Sequence, residues 1–390
     1  MSHRLLLYVQ TLLGIGHLAR AARLAAGFAA AGWEVDLVSG GMPVAHLDTG
    51  GARLVQLPPL KSKDESFAEL VDVNGIAPDA AWFRERRERL IGLFAERRPE
   101  VLMLEAFPFG RRQMRFELLP LLDAARAAEP PPLIVSSTRD IVQGRRKPGR
   151  SEEAVALVAE RFDLVLVHGD PRLVRFEESF PLAPALDERL SYTGYVAPAS
   201  LPRGREGDAG WDEVVVSAGG GAVGAALLEA ALAARPLSRL AASRWRLIAG
   251  GNLPAAGLAA LAARAPQEVT LERARADFPR LLANCRVSVS QAGYNTVMEI
   301  ARAGARAVLV PFVGHGETEQ SLRAERLAAR GLAGLVPAAE LAPSRLAAAI
   351  DAAAAAPAPS FAHLDLEGAA TSVAIVSEAL LRATRAGQRP

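Results

Sequence analysis

The single cysteine, Cys285, is too little for an intrachain disulfide, which fits a reducing compartment. Histidine is also scarce: the six histidines and the one cysteine show no metal-ligand spacing, so no metal site is expected. Long apolar runs are missing. The opening MSHRLLLYVQ holds only a short one, far from a signal-peptide core or the roughly 20 residues of a spanning helix. No sign of charge dominates: 45 Lys and Arg face 43 Asp and Glu, a net +2, which gives no global reason to expect nucleic-acid binding. Arginine clusters such as Arg84 to Arg89 are interleaved with glutamate and read as a solvated helix face. With 50% hydrophobic and 23% charged residues, intrinsic disorder is excluded. A soluble cytoplasmic protein is expected, with a peripheral membrane contact left open.

What is present is a repeated alternation of short apolar runs and helical patterns. A chain of 390 residues, at roughly 150 per domain, suggests two or three domains. Leu5 to Val9 reads as a strand, Gly14-Ile-Gly-His17 as a turn, Leu18 to Ala31 as a helix closed by Gly32, and Glu34 to Ser39 as the next strand. Such a unit winds into a parallel sheet. Further strands are expected at Arg53 to Leu57, Val101 to Leu104, Leu133 to Ser136, Leu164 to Val167 and Ser191 to Thr193. Asp79 to Arg97 reads as a helix that buries Phe83, Leu90, Ile91 and Phe94 and turns its arginines to water, whereas Leu60 to Pro78 reads as a surface loop.

Proline and glycine punctuate Ala197 to Gly210, the best linker in the chain, and a fresh strand at Glu213 to Ser217 restarts the alternation. Strands follow at Arg246 to Ala249, Glu268 to Leu271, Val287 to Ser290 and Ala307 to Val310, with helices at Asn295 to Arg302 and Glu319 to Arg330. The resulting division is an N-terminal α/β domain over 1–197, a linker over 198–210, a C-terminal α/β domain over 211–368 and a helical tail over 369–390 that packs on the domains. Ligands of open parallel sheets bind beyond the strand carboxyl ends, so the cleft between the domains is the expected site.

Several constellations could carry chemistry there. Gly16 and His17 lie between the first strand and the first helix, where a close turn and helix amides can meet an anion and a histidine can serve as a general base. Ala19 replaces the third glycine of a dinucleotide fingerprint and no phosphate-loop lysine follows, so NAD-type and ATP-type loops are disfavoured. Ser217, Gly219, Gly220 and Gly221 could cradle a diphosphate, the alternative being a tight turn without a ligand; Gly251 and Asn252 form a second glycine turn. In Ser290-Gln-Ala-Gly-Tyr-Asn-Thr-Val-Met-Glu299, Gly293 permits the turn, Asn295 or Thr296 can cap the helix, and the Glu299 carboxylate can accept from both ribose hydroxyls. Glu319 and Gln320 offer an acceptor and an amide to a second polyol.

Taken together, these residues resemble the bacterial glycosyltransferase superfamily with two facing Rossmann-like domains around a central cleft, the GT-B-like fold. They are similar to the branch containing the lipid-linked N-acetylglucosamine transferase of peptidoglycan synthesis. Glu105 to Arg115 also resembles an uncharacterised group of bacterial glycosyltransferases, which supplies no acceptor. The resemblance implies a nucleotide-sugar in the second domain, UDP-linked in the related branch, with no bound cofactor or metal. The Gly219 to Gly221 turn would face the phosphates, Glu299 the ribose, and Glu319 with Gln320 the donor sugar. His315 could contact phosphate or sugar. His17 would deprotonate an acceptor hydroxyl, with inversion at the anomeric carbon. The acceptor is unidentified; the Met114 and Phe109 region, read as exposed, could meet it. Glu105, Arg111, Arg112, Arg115, Arg139 and Asp140 could form a polar acceptor site or a buried ion-pair network.

Two alternatives stand beside transfer. Gly14-Ile-Gly-His-Leu-Ala-Arg20 also resembles bacterial sugar-nucleotide hydrolases, in which the histidine activates water. A non-catalytic sugar-nucleotide-binding protein would bind without turnover.

Overall fold

The computed structural model describes residues 2–45, 47–64, 67, 69–142, 148–219, 224–251, 253–314 and 318–387. It separates into two compact units, one formed by Met1–Val196 with Asp365–Pro390 and the other by Ala197–Leu364.

In the first unit, β1 (Arg4–Val9), α1 (Gly16–Ala30), β2 (Glu34–Ser39) and β3 (Arg53–Gln56) lead to a short ribbon of β4 (Lys61–Ser62) and β5 (Leu70–Val71). Then come α2 (Ala80–Arg97), β6 (Val101–Glu105), α3 (Arg115–Arg126), β7 (Leu133–Arg139), α4 (Arg150–Arg161), β8 (Leu164–His168) and β9 (Leu190–Tyr192). The seven-stranded sheet has the order β3-β2-β1-β6-β7-β8-β9, parallel throughout. Its central strands β1, β6 and β8 are apolar on both faces, as a sheet covered on both sides requires. Leu6 and Tyr8 of β1 join Leu102, Leu104 and Val165 beneath α2, α3 and α4. Leu5, Leu7 and Val9 face the opposite way, onto Leu18, Leu24 and Phe28 of α1.

The second unit repeats the plan with β10 (Val214–Ser217), α5 (Ala225–Ala234), β11 (Trp245–Ala249), α6 (Ala255–Ala262), β12 (Val269–Arg273) and α7 (Phe278–Asn284). It continues with β13 (Val287–Ser290), α8 (Tyr294–Ala303), β14 (Ala307–Leu309), α9 (Glu319–Ala328), β15 (Gly334–Leu335) and α10 (Pro343–Ala355). The order β12-β11-β10-β13-β14-β15 is again parallel. After Leu364 the chain returns to the first unit, where α11 (Gly368–Gly387) lays Ala369, Val373 and Val376 on the α1 side of the sheet.

Both units are therefore Rossmann-like, and in each the strand order reverses beside the first strand, between β1 and β6 and between β10 and β13. Crevices at such reversal points are where open parallel sheets bind ligands.

Three local expectations change. The 60–78 segment contains the β4–β5 ribbon, joined through Lys61↔Val71 and Ser62↔Leu70; two-residue strands are too short for periodicity to reveal. Asp79 caps α2 by accepting from the Trp82 amide at 2.7 Å, but Arg86 on that helix is fully buried rather than turned to water. Its Nε donates to Glu117 at 2.8 Å, its Nη2 to Gln10 at 2.6 Å, and its Nη1 to the carbonyls of Gly40 and Pro58. One guanidinium thus ties together the loops that follow β1, β2 and β3. Finally, Phe109 and Met114 are buried, not exposed: Phe109 meets Phe176 and Phe180 edge-on at 5.4 and 5.2 Å, partners that lie far along the chain.

Candidate active site

At the reversal point of the first sheet, β1 delivers the turn that begins α1, and β6 ends at Glu105. Gly14 takes a left-handed φ of 66°, which only glycine adopts without strain, and this brings the chain round to place His17 in the first turn of α1. Nδ1 of His17 lies 3.0 Å from Oε1 of Glu105, with the histidine side chain 17% exposed and the glutamate 1%. A carboxylate only accepts, so Nδ1 carries the proton and Nε2 keeps its lone pair. Arg20, one turn along α1 and buried, pairs with the same Oε1.

The electrostatics keep His17 neutral. Burial, then the cations of Arg111, Arg139 and Arg20, push its pKa well below the usual imidazole range, against the opposing pull of Glu105. Burial would raise the Glu105 carboxyl, yet Arg20 and the hydrogen bond from His17 hold it well below the ordinary carboxylate range. Half-buried Arg111 drops to about 10 through desolvation and the neighbouring charge of Arg139. Its backbone is left-handed, φ 58°, and its Nε donates to the Gln10 carbonyl at 2.6 Å. Strained backbone of this kind collects at functional sites. The arrangement is a neutral imidazole, oriented by an ionised carboxylate, with Nε2 available to take a proton.

The other first-unit candidates separate from it. Arg112 and Arg115 both pair with Glu153 of α4. Asp140 is buried and accepts from the Ile141 amide and the Tyr195 hydroxyl, each at 3.0 Å. Of these candidates, Glu105, Arg111 and Arg139 act on the His17 ring. Sequence reasoning missed the partners of Glu105: Arg20, and Ser137 with His168 and Thr193 hydrogen-bonded behind it. The one available signal was the polar end of two apolar strands, Ser136-Ser-Thr138 and His168.

At the reversal point of the second sheet the groups are uncharged. Ser217 ends β10, and its Oγ accepts from the Gly219 amide at 3.4 Å. Gly219 is left-handed, φ 66°, and an added Cβ would lie 3.0 Å from Oε1 of Gln291, so the two loops approach closely. Gly220, Gly221, Asn252 and His315 lie outside the described residues. Gly251, one strand over, is exposed, and its carbonyl accepts from Arg273 at 3.3 Å. The capping expectation for Asn295 and Thr296 is corrected: the chain enters α8 at Gly293, which has no side-chain cap, and both residues sit inside the first turn. Glu299, one turn further on, is half-buried and lines a narrow crevice with Arg302, Pro279 and Pro198. Glu319 is buried and ion-paired with Arg323 at 2.9 Å; Arg323 also donates to the Ala292 carbonyl at 3.2 Å, which ties α9 to the turn before α8. Gln320 accepts from the Phe312 amide at 3.1 Å.

Among the described residues, no group of three or more His, Cys, Asp or Glu could hold a metal ion. Nor is any helix among them long and apolar enough to cross a membrane.

Two Rossmann-like units with polar groups at their reversal points define a GT-B-like glycosyltransferase fold. The comparisons agree and relate it to glycosyltransferase family 28, whose C-terminal domain matches residues 215–364. A UDP-N-acetylglucosamine–N-acetylmuramyl-(pentapeptide) pyrophosphoryl-undecaprenol N-acetylglucosamine transferase from Chromobacterium violaceum is 34% identical over 149 residues, 37% of this chain and 40% of that protein. The protein of the same name from Rhodospirillum centenum is 37% identical over 91 residues, 23% of each chain. This chain is thus aligned with two fifths or less of the length of these relatives. Among solved structures, the calicheamicin glycosyltransferase CalG4 superposes with a TM-score of 0.60 at 19% identity, covering 98% of this chain and 95% of that one. MurG from Acinetobacter baumannii gives 0.56 at 16% identity, covering 96% and 99%. At such identities the likeness is one of fold.

Proposed function

We propose that the protein transfers a sugar from a nucleotide-sugar to a hydroxyl acceptor, with His17 as the general base. The observation that carries this reading is the His17–Glu105 pair: a neutral imidazole at the reversal point of the first sheet, held by a carboxylate so that Nε2 is the basic atom.

In this mechanism Nε2 takes the proton of the acceptor hydroxyl as its oxygen attacks the anomeric carbon. The bond from that carbon to the nucleoside diphosphate breaks, and the diphosphate leaves with the electron pair. In-line displacement inverts the configuration. Arg20, Arg111 and Arg139 disfavour a lasting imidazolium, which favours passing the proton onward after each turnover. The donor belongs to the second unit: Ser217 and the Gly219 to Gly221 turn at its phosphates, the amides at the start of α8 behind Gly293, Asn295 and Thr296, Glu299 at the ribose, and Gln320 with Glu319 towards the sugar. The resemblance in sequence adds Gly251, Asn252 and His315 to the donor-binding residues. Helix ends and backbone amides would stabilise the leaving diphosphate without a metal. The relatives from Chromobacterium violaceum and Rhodospirillum centenum are named for a UDP-sugar donor, which makes UDP the first nucleotide to test.

The test is calorimetric titration with UDP, GDP, dTDP and their sugar conjugates, followed by turnover assays with and without acceptors. Selective UDP binding, transfer to an acceptor and loss of turnover in His17→Ala support the proposal. Free sugar formed without an acceptor at the full His17-dependent rate would instead identify a hydrolase. Binding with no turnover of either kind would identify a binding protein.

A further inference from the structure

The reaction above uses His17 and Glu105, yet behind Glu105 a second, fully buried histidine has no task. We propose that Ser137, His168 and Thr193 form a positioning relay that orients Glu105 and, through it, fixes which nitrogen of His17 is the base. This rests on the reading of His17 as the base.

The relay crosses the carboxyl ends of neighbouring parallel strands. Glu105 ends β6, Ser137 lies near the end of β7, His168 ends β8, and Thr193 follows β9. Oε2 of Glu105 is 2.5 Å from Oγ of Ser137, that Oγ is 2.9 Å from Nε2 of His168, and Nδ1 of His168 is 2.9 Å from Oγ1 of Thr193. Ser137, His168 and Thr193 are all fully buried.

The proton positions follow from what each atom can do. Glu105 as a carboxylate only accepts, so the Ser137 hydroxyl spends its single proton on Oε2. Ser137 must then accept from His168, whose Nε2 therefore carries a proton. Oε1 of Glu105 is left to accept from His17 Nδ1 and Arg20. The Nδ1 lone pair of His168 then takes the single proton of the Thr193 hydroxyl, for which the Gly194 carbonyl, 2.7 Å from the same Oγ1, competes. The two histidines are thereby assigned opposite tautomers, Nδ1–H at His17 and Nε2–H at His168. Burial, then the charge of Arg20, drops the pKa of His168 to about 3, so it works as a neutral donor.

A histidine buried this deeply carries a desolvation cost that an apolar residue of similar size would avoid. Its position, in line with the base and at the strand ends, assigns that cost to orientation. Among the described residues, the charges that act most strongly on His17 are Arg20 from α1, Glu105 from β6, Arg111 from the loop after β6 and Arg139 from the end of β7, with His168 of β8 facing Glu105. Among these Glu105 is the only anion, so its orientation sets which ring nitrogen is basic.

The test uses the full-length protein with 15N-labelled histidine, whose long-range proton correlations report tautomer and titration midpoint for each ring. His17→Asn and His168→Gln assign the signals. In the wild type, His168 is expected as Nε2–H and His17 as Nδ1–H; an Nδ1–H tautomer at His168 would overturn the relay without any variant. In Ser137→Ala the Glu105 charge is no longer shared with the hydroxyl, so the His17 midpoint should rise by about one pH unit. Turnover should fall roughly tenfold with KM within about twofold. His168→Phe should behave likewise, whereas His168→Gln, which can still donate from the Nε2 position, should recover most of the activity. An unchanged His17 tautomer and midpoint in folded Ser137→Ala and His168→Phe would reject the proposal, even if His17→Ala is inactive. Full activity in His17→Ala would instead remove the base assignment, and the resonances would still decide whether the relay fixes the ring.

Discussion

The two units share a topology and differ in what they place at the point where it reverses. The first puts a histidine, a buried glutamate and three arginines there; the second puts serine, glycine and helix amides, with its carboxylates set back on α8 and α9. The same crevice can thus be made reactive or merely receptive by the residues at the strand ends. Side chains with shifted pKa values suit proton transfer, while backbone amides suit a diphosphate whose charge does not titrate near neutrality.

The sharpest way to break this contrast is His17→Ala. Turnover should fall by about 10² to 10⁴-fold, the range for a positioned general base, while UDP-sugar binding in calorimetry stays unchanged. Equal loss of both would dissolve the division of labour. Next in size is Arg86→Leu, which leaves Glu117 charged and buried. Chemical denaturation should show a loss of about 3–5 kcal/mol, far more than any exposed arginine such as Arg89 would give. Glu299→Ala should weaken donor affinity by about tenfold or more, equivalent to roughly 1.5–3 kcal/mol for a hydrogen bond to a charged group, with the first unit's titrations unaltered.

An effect of comparable size concerns pH. The native state excludes a proton from His168 until about pH 3, while the unfolded chain binds it near pH 6.5. Stability from this group is therefore complete above pH 6.5 and declines as pH falls, by about 1.4 kcal/mol per unit. Urea unfolding of His168→Gln should show a shallower decline between pH 6.5 and 4 than the wild type, His17 contributing equally to both. Smallest is Asp79→Ala, which removes the α2 cap and should cost about 1 kcal/mol.

Much of the architecture was legible because apolar strands and glycine turns alternate in both halves, and the candidate base and the second-unit loops were legible because they interrupt that alternation at one recurrent place. The partners were not. Glu105 was noticed, but nothing in its spacing ties it to His17, 88 residues away. Arg86 follows the pattern of a solvated helix face, and only Glu117 and the loop carbonyls, brought in by the fold, account for its burial. Phe109 sits among arginines in sequence but among phenylalanines in space. At α8 a glycine takes the entry position that Asn295 or Thr296 could have held. Local patterns report local structure; buried charges and polar chains are long-range facts.

The return of the chain to the first unit bears on how the protein is made. Ala369 rests against Gly27, where an added Cβ would lie 3.2 Å from the alanine's own, and Val376 closes the apolar surface over α1. During synthesis that surface waits uncovered while residues 197–364 are added, on the order of ten to thirty seconds at typical elongation rates. The second unit, built from one continuous segment, can complete its core before the first one does, so the half of the protein that emerges first is finished last.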